Sequence, residues 1–257
     1  MHLTRNEKVA CSSHVTSSKN AACLRQAAFL FGGRSLERKY YEAYDDRYCQ
    51  IHQVNLKWFA DTPSPIVWEI IRSYGISGKM LEIGCGEGRD AQFLLRNGFD
   101  LMATDVSPEA IGFCRKAFPD YSERFQVLDC ITGSLQERFD FIYAVAVLHM
   151  LVEREDRDGF YCFIRNHMKE RGYALICTMG DGEMEHSSDI SSAFALEERI
   201  HEPSGKCFWI ASTSYRAVSF DTFEKELRDN GLSVVQMGLT DIEPDYWKMM
   251  YAVVMRR

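Results

Sequence analysis

Within "LEIGCGEGRD" (residues 81–90), Gly84, Gly86 and Gly88 stand at alternate positions behind a short apolar run. Glycine reaches positive φ without strain and lets another group approach the main chain closely. A turn of this kind, between a strand and a helix, also aims backbone N–H groups at whatever lies beyond it. Three further residues fall at comparable places: Asp105 ending "LMATD", Asp129 ending "FQVLD" and His149 just after "FDFIYAVAV". Carboxylates at strand ends accept hydrogen bonds from a hydroxyl-bearing ligand, and a histidine takes a proton near neutral pH. The glycines alone also suit an ordinary tight turn, and the histidine also suits packing or pocket shaping.

These residues need a frame. Ser64-Pro65 is a cap followed by proline at the first helical position, and "IVWEIIRSYG" runs with helical spacing to Gly75. "KMLEIG" reads as a short buried strand and "DAQFLLRNG" as a helix stopped by Gly98. "DLMATD", "FQVLD", "FDFIYAVAV" and "YALICTM" supply four more strands, with helices from Ser107-Pro108 and from about Asp156 to Lys169 between them. A last helix, "VSFDTFEKELRDNG", precedes two closing strands, "LSVVQMG" and "YWKMMYAVVM". Alternation of this kind predicts an α/β fold whose largely parallel sheet is covered on both faces. Ligands of such sheets sit beyond the carboxyl ends of the strands, at the switch point. The glycine turn, Asp105, Asp129 and His149 all fall at that end.

The spacing G-x-G-x-G, with Glu82 inside the strand, departs from the G-x-G-x-x-G of nicotinamide-binding turns. Asp105 is placed to accept hydrogen bonds from a ribose, and Asp129 beside Cys130 stands where an adenine edge is read. The ordered set "LEIGCGEGRD", "LMATDVS", "FQVLDC" and "FDFIYAVAVLHML" resembles the successive motifs of class I S-adenosylmethionine-dependent methyltransferases. The resemblance covers about residues 65–180. "GCGEGRD" followed by "NGFDLMATDVS" is similar to the small-molecule branch that includes thiopurine and tellurite-resistance methyltransferases. It implies a Rossmann-like doubly wound sheet, mostly parallel with an antiparallel last strand. It also implies S-adenosyl-L-methionine as cofactor, S-adenosyl-L-homocysteine as product, and a small-molecule acceptor with an S, O or N nucleophile.

By the same resemblance, the backbone at Gly84, Cys85, Gly86 and Gly88 lies against the methionine part of the cofactor, and Glu82 supports its amino-acid end. Arg89 or Asp90 adds polar contacts there; both also suit a charge at a helix terminus. Asp105 holds both ribose hydroxyls, Val106 and Ser107 flank the adenosine, and Asp129 and Cys130 face the adenine. Ala144 and Val145 pass under the methyl donor. The stripe Tyr40, Tyr41, Tyr44 and Tyr48 matches a pre-motif helix that closes over the cofactor, with Tyr44 and Tyr48 chosen as its contacts; the stripe also suits packing on the core. His149 is the candidate general base. Residues 180–215 form a long connection expected to cap the substrate, with His201, Phe208, Trp209, Tyr215 and Arg216 as its candidate contacts.

Composition bounds the alternatives. The 257 residues are 46% hydrophobic with a formal charge of -7, which gives no general footprint for nucleic acid and leaves no membrane-spanning run. Nine scattered cysteines without a C-x-x-C pair read as reduced and metal-free, in a cytoplasmic protein. Residues 1–36, Ser-rich and poor in acids, read as a poorly ordered or docking extension, or as a transit peptide. The methyltransferase domain then runs over 37–257: lid region 37–63, cofactor core 64–179, cap 180–215 and closing elements 216–257. No N-P-P-Y stretch follows the fourth strand. Methylation of protein or RNA, or cofactor binding without chemistry, are the competing readings.

Overall fold

A computed structural model describes residues 38–58, 60–201, 205–242 and 246–257. The extension read at 1–36 lies outside the described residues. A single 3-10 turn at Tyr40–Glu42 leads into helix α1 (Ala43–His52), and α2 (Pro65–Ser73) follows with Pro65 in its first turn. Strand β1 (Lys79–Ile83), helix α3 (Arg89–Arg96), strand β2 (Asp100–Asp105) and helix α4 (Pro108–Ala117) come next. Then come β3 (Phe125–Val127), β4 (Phe139–Val145), α5 (Arg154–His167) and β5 (Met168–Met179). Short strands β6 (His186–Ser187), β7 (Leu196–His201), β8 (Lys206–Ala211) and β9 (Arg216–Ala217) precede α6 (Phe220–Asp229), β10 (Leu232–Ile242) and β11 (Tyr246–Arg256).

Seven strands form one sheet in the order β10-β11-β5-β4-β1-β2-β3. Pairings β1–β2, β1–β4, β2–β3 and β4–β5 are parallel, while β11 runs antiparallel to both β5 and β10. This is the doubly wound sheet with an antiparallel last strand that the motifs predict. Side-chain alternation along the central strands feeds two cores. Leu81, Ile83, Ile142, Ala144 and Ile176 join α5 and α6 on one face. Met80, Leu101, Phe141, Tyr143 and Leu175 join α2, α3 and α4 on the other. Helix α2 shows the logic: Ile66, Val67, Ile70 and Ile71 fall on one side of the helix and all are buried.

Two boundaries differ from the sequence reading. Helix α5 stops at His167, whose Nδ1 meets Phe163 O at 2.8 Å while its Nε2 accepts Leu135 N at 2.9 Å. The chain therefore enters β5 at Met168, before Tyr173, with a register shift opposite Phe139/Phe141. The stretch 180–217 is also more regular than its sequence suggests. It makes two antiparallel ribbons, β6–β9 and β7–β8. Among the described residues no helix is long and apolar enough to cross a membrane.

Candidate functional site

The carboxyl ends of β1, β2 and β4 open onto a pocket of about 1040 Å³, mouth included. The turn after β1 builds its floor. Gly84, Gly86 and Gly88 adopt φ of +72°, +52° and +79°, a region that costs other residues about 1–2 kcal/mol. Their missing side chains also make room for protein groups. A Cβ at Gly84 would meet Val147 Cγ2 at 2.3 Å, one at Gly86 the Tyr48 hydroxyl at 2.6 Å, and one at Gly88 Phe118 at 2.9 Å. The alternating glycines thus let the loop after β4, the helix α1 and the α4–β3 connection close on one turn.

Asp105 closes β2 at the centre of the pocket. Its Oδ2 accepts Gly86 N at 2.8 Å and its Oδ1 accepts Ser107 N at 2.9 Å. Each oxygen keeps a second lone pair for a ligand. Burial raises its carboxyl from the ordinary 3.8 to about 6, against the opposing pull of those backbone N–H groups. Glu82 lies deeper, accepting the Tyr143 hydroxyl at 3.0 Å. Burial first, and then the neighbouring Asp90, push its carboxyl well above the usual range. Asp90 accepts both Ser64 N (2.6 Å) and Ser64 Oγ (2.8 Å), and Arg89 donates to the same hydroxyl at 2.8 Å.

At the other end, Asp129 accepts the Tyr41 hydroxyl at 3.1 Å, Thr132 Oγ1 at 2.7 Å and Ile131 N at 2.8 Å. Burial pushes the adjacent Cys130 thiol up, so it remains a neutral, soft wall. Val106, Leu128 and Ile131 supply apolar surface beside it. Among the described lining residues there are six carboxyl groups (Asp61, Glu82, Glu87, Asp90, Asp105, Asp129) and one guanidinium, that of Arg89, and Tyr41, Tyr44 and Tyr48 line the pocket too. Acidic and aromatic walls together suit a cationic ligand with an apolar body.

Helix α1 is fastened over this pocket from three sides. Asp45 Oδ1 accepts Ser107 Oγ (2.5 Å) and Glu109 N (3.1 Å) at the start of α4. His52 lies between Glu109 Oε1 (2.9 Å) and Glu87 Oε1 (3.0 Å). Arg47 donates to the carbonyls of Ala211 (2.7 Å) and Ser212 (2.8 Å), and Gln50 accepts Ala211 N at 2.7 Å. The ribbon β7–β8 is therefore stitched to the helix that carries Tyr44 and Tyr48.

Of the residues singled out from sequence, Tyr44, Tyr48, Glu82, Gly84, Cys85, Gly86, Arg89, Asp105, Val106, Asp129, Cys130 and Val145 line the pocket together. Gly88, Ser107 and Ala144 do not. Gly88 is the N-cap of α3, Ser107 caps α4 by accepting Ala110 N at 3.0 Å, and Ala144 is fully buried in the core. His149 is also away from the lining: it is buried beside Tyr215, ring centroids 5.8 Å apart. Burial, with Arg157 next, lowers its imidazole from 6.5 to about 3. A ring so reluctant to take a proton is a poor general base, which argues against the catalytic role. Among the described cap residues, Phe208, Trp209, Tyr215 and Arg216 do not line the pocket. Trp209 is 63% exposed, Phe208 and Tyr215 are half-buried, and Arg216 turns inward to Val152 O at 2.8 Å. His201 ends β7 opposite Lys206, and its side chain lies outside the described residues.

Ile83, Ala146, Val147, Met150 and Leu151 line the pocket without having been singled out, and Asp90, the alternative to Arg89, and Tyr41 line it as well. Ala146 carries the sharpest local signal, a φ of +60° on a residue with a side chain. Strain of this kind costs about 1–3 kcal/mol and gathers at functional sites. Tyr41 stood in the tyrosine stripe, but the 3-10 turn before α1 shifts it out of helical phase with Tyr44 and Tyr48.

Comparison with known proteins agrees with this geometry. Residues 81–174 match the family described as a methyltransferase domain. The probable S-adenosyl-L-methionine-dependent methyltransferase TehB of Haemophilus influenzae is 29% identical over 100 residues, 38% of this chain and 35% of that protein. Hemagglutinin 1 of Eikenella corrodens is 31% identical over 108 residues, 40% of this chain and 35% of that protein. The chain thus spans about a third of the length of the curated relatives it matches. The 1,6-didemethyltoxoflavin-N1-methyltransferase of Burkholderia thailandensis was solved with 1,6-didemethyltoxoflavin and S-adenosylhomocysteine. It shares the fold at a TM-score of 0.61 and 16% identity, over 87% of this chain and 92% of that one.

Proposed function

We propose, from the match of residues 81–174 to a methyltransferase-domain family and the likeness to TehB, that the protein is a class I S-adenosylmethionine-dependent methyltransferase and transfers a methyl group from S-adenosylmethionine to a small-molecule nucleophile. The observation that carries this reading is Asp105. A buried carboxylate at the end of β2, pinned by Gly86 N and Ser107 N, presents its remaining lone pairs to the pocket. Two vicinal ribose hydroxyls are the donors such a group fits. The adenine then lies among Val106, Leu128 and Ile131, with its edge toward Asp129 and Cys130. The amino-acid end reaches the Glu82–Arg89–Asp90 group, and Tyr44, Tyr48 and Val147 surround the sulfonium.

Methyl transfer is an in-line displacement, so alignment of nucleophile, methyl carbon and sulfur is the main demand. Alignment alone supplies roughly 7–11 kcal/mol of such barriers. Neither histidine nor lysine is among the described residues lining the pocket. The bases this wall offers are its carboxylates, which suit an acceptor with a free lone pair at neutral pH, such as a heteroaromatic or neutral amine nitrogen, and can take the proton of a hydroxyl or thiol. The segment 180–217 bears on acceptor choice through α1, to which Arg47 and Gln50 join it.

Calorimetric titration with S-adenosylmethionine, S-adenosylhomocysteine and NAD tests the cofactor. The first two should bind and NAD should not. Labelled methyl transfer is then screened on small thiols, phenols and amines, alongside RNA and protein. Label appearing only on a macromolecule would overturn the small-molecule assignment.

A further inference from the structure

The wall of the pocket beyond β4 is a loop with little structure of its own. After the strained Ala146, residues Leu148–Met150 make one 3-10 turn, and Val147, Met150 and Leu151 face the pocket. Side chains from distant elements hold this loop by its backbone. Arg157 Nη1 donates to Leu148 O (2.9 Å) and Leu151 O (3.2 Å), and Ser214 Oγ donates to Met150 O (2.5 Å). Arg216 Nη1 donates to Val152 O (2.8 Å), while the Tyr40 hydroxyl accepts Val152 N (2.9 Å) and Glu153 N (3.1 Å).

The two arginines meet on one carboxylate. Glu226 of α6 accepts Arg157 Nε at 3.0 Å and Nη2 at 2.6 Å, lies 3.7 Å from Arg216 Nη2, and accepts the Tyr161 hydroxyl at 2.8 Å. Arg157 is 1% exposed, yet neither it nor Glu226 lines the pocket. A buried ion pair of this kind is weak evidence for stability, because packed apolar groups of similar volume often serve a fold at least as well. What apolar groups cannot do is fix carbonyl positions. The planar guanidinium reaches two carbonyls and a carboxylate at once, a geometry an ammonium does not reproduce.

We propose that the Glu226–Arg157–Arg216 cluster is a positioning device for the nucleoside pocket: it holds the loop 147–152 in register so that Val147, Met150 and Leu151 contact the bound cofactor. The proposal rests on the cofactor assignment above. Arg157 and Glu226 act through the loop and touch no reacting atom.

The test uses the full chain, with S-adenosylhomocysteine as probe and affinity measured by calorimetry at a temperature where every variant is folded. Arg157→Lys keeps the charge and loses the fork, and Glu226→Gln keeps the shape and loses the charge. Each should weaken binding about tenfold or more. Leu227→Ala, buried on the same helix and outside the cluster, should lower the melting temperature and leave affinity within about twofold. The Leu227 variant thereby separates positioning from general loosening of α6. Wild-type affinity in both Arg157→Lys and Glu226→Gln would overturn the proposal, and so would an equal loss in Leu227→Ala. A wild-type protein that binds no S-adenosylhomocysteine would remove the cofactor assignment, and this proposal with it.

Discussion

Asp105→Asn is the substitution with the most to say about the pocket, because its effect on binding depends on pH. The ribose hydroxyls donate, so the bound state requires the ionised carboxylate. Its acid form predominates below about pH 6 in the unliganded protein. Affinity for S-adenosylhomocysteine should therefore fall about tenfold between pH 7.5 and pH 5, as the ionised fraction drops. Stability moves the other way. The folded-state value is raised above the ordinary 3.8, so Asp105 favours folding fully below pH 3.8, and that contribution is lost as pH rises to about 6. A shift of that size is worth roughly 3 kcal/mol. Ligand-induced thermal stabilisation should accordingly grow from pH 5 to pH 7. Asparagine removes both dependences. It also turns an amide NH2 toward Gly86 N or Ser107 N, leaving a buried donor unpaired at about 1–3 kcal/mol. At pH 7.5 its affinity should be at least tenfold below wild type. Calorimetry across pH 5–8, with circular dichroism to verify folding, reads all of this. A wild-type affinity that stays flat between pH 5 and 7.5 would refute the reasoning.

Three other outcomes are expected. Gly86→Ala should lower the melting temperature and weaken S-adenosylhomocysteine binding, through its φ of +52° and its clash with the Tyr48 hydroxyl. Adding Tyr48→Phe should restore part of the stability, since the next ring atom lies 3.5 Å away; strictly additive losses would contradict the clash. His149→Gln should leave turnover within about threefold once an acceptor is known, because a ring held near pKa 3 is no base at neutral pH. Its depressed value adds stability above pH 6.5 that is lost as pH falls toward 3, so the variant should show a shallower acid destabilisation in thermal melts. Trp209→Ala should leave melting temperature and S-adenosylhomocysteine affinity unchanged, since the ring is largely exposed, while raising the acceptor KM if the ribbon steers the acceptor; a collapse in cofactor affinity would place it elsewhere.

The sheet and its ligand end were legible because they depend on local signals. Pro65, Gly75 and Ser107-Pro108 punctuate the helices, and the apolar runs of β1, β2 and β4 are too short and too continuous to be anything but buried strands. Glycines and acids that end those strands fall at the pocket by topology alone, as Gly84, Gly86, Asp105 and Asp129 do. Direction within a turn is not local. The 3-10 turn at Leu148–Met150 sends Met150 to the pocket and His149 toward Tyr215, and nothing in "VLHML" separates the two. The resemblance likewise places Ser107 beside the adenosine, whereas its hydroxyl accepts Ala110 N and donates to Asp45. The Glu226 cluster joins residues 69 positions apart, a separation that no sequence period records.

A crystal structure of the complex with S-adenosylhomocysteine tests the central assignment most directly. Both ribose hydroxyls should lie within about 2.5–3.0 Å of the Asp105 carboxylate oxygens. The adenine should lie between Val106 and Leu128–Ile131, and the sulfur beside Tyr44 and Val147. A nucleoside bound outside this pocket, or seated in it with its ribose turned away from Asp105, would contradict the account.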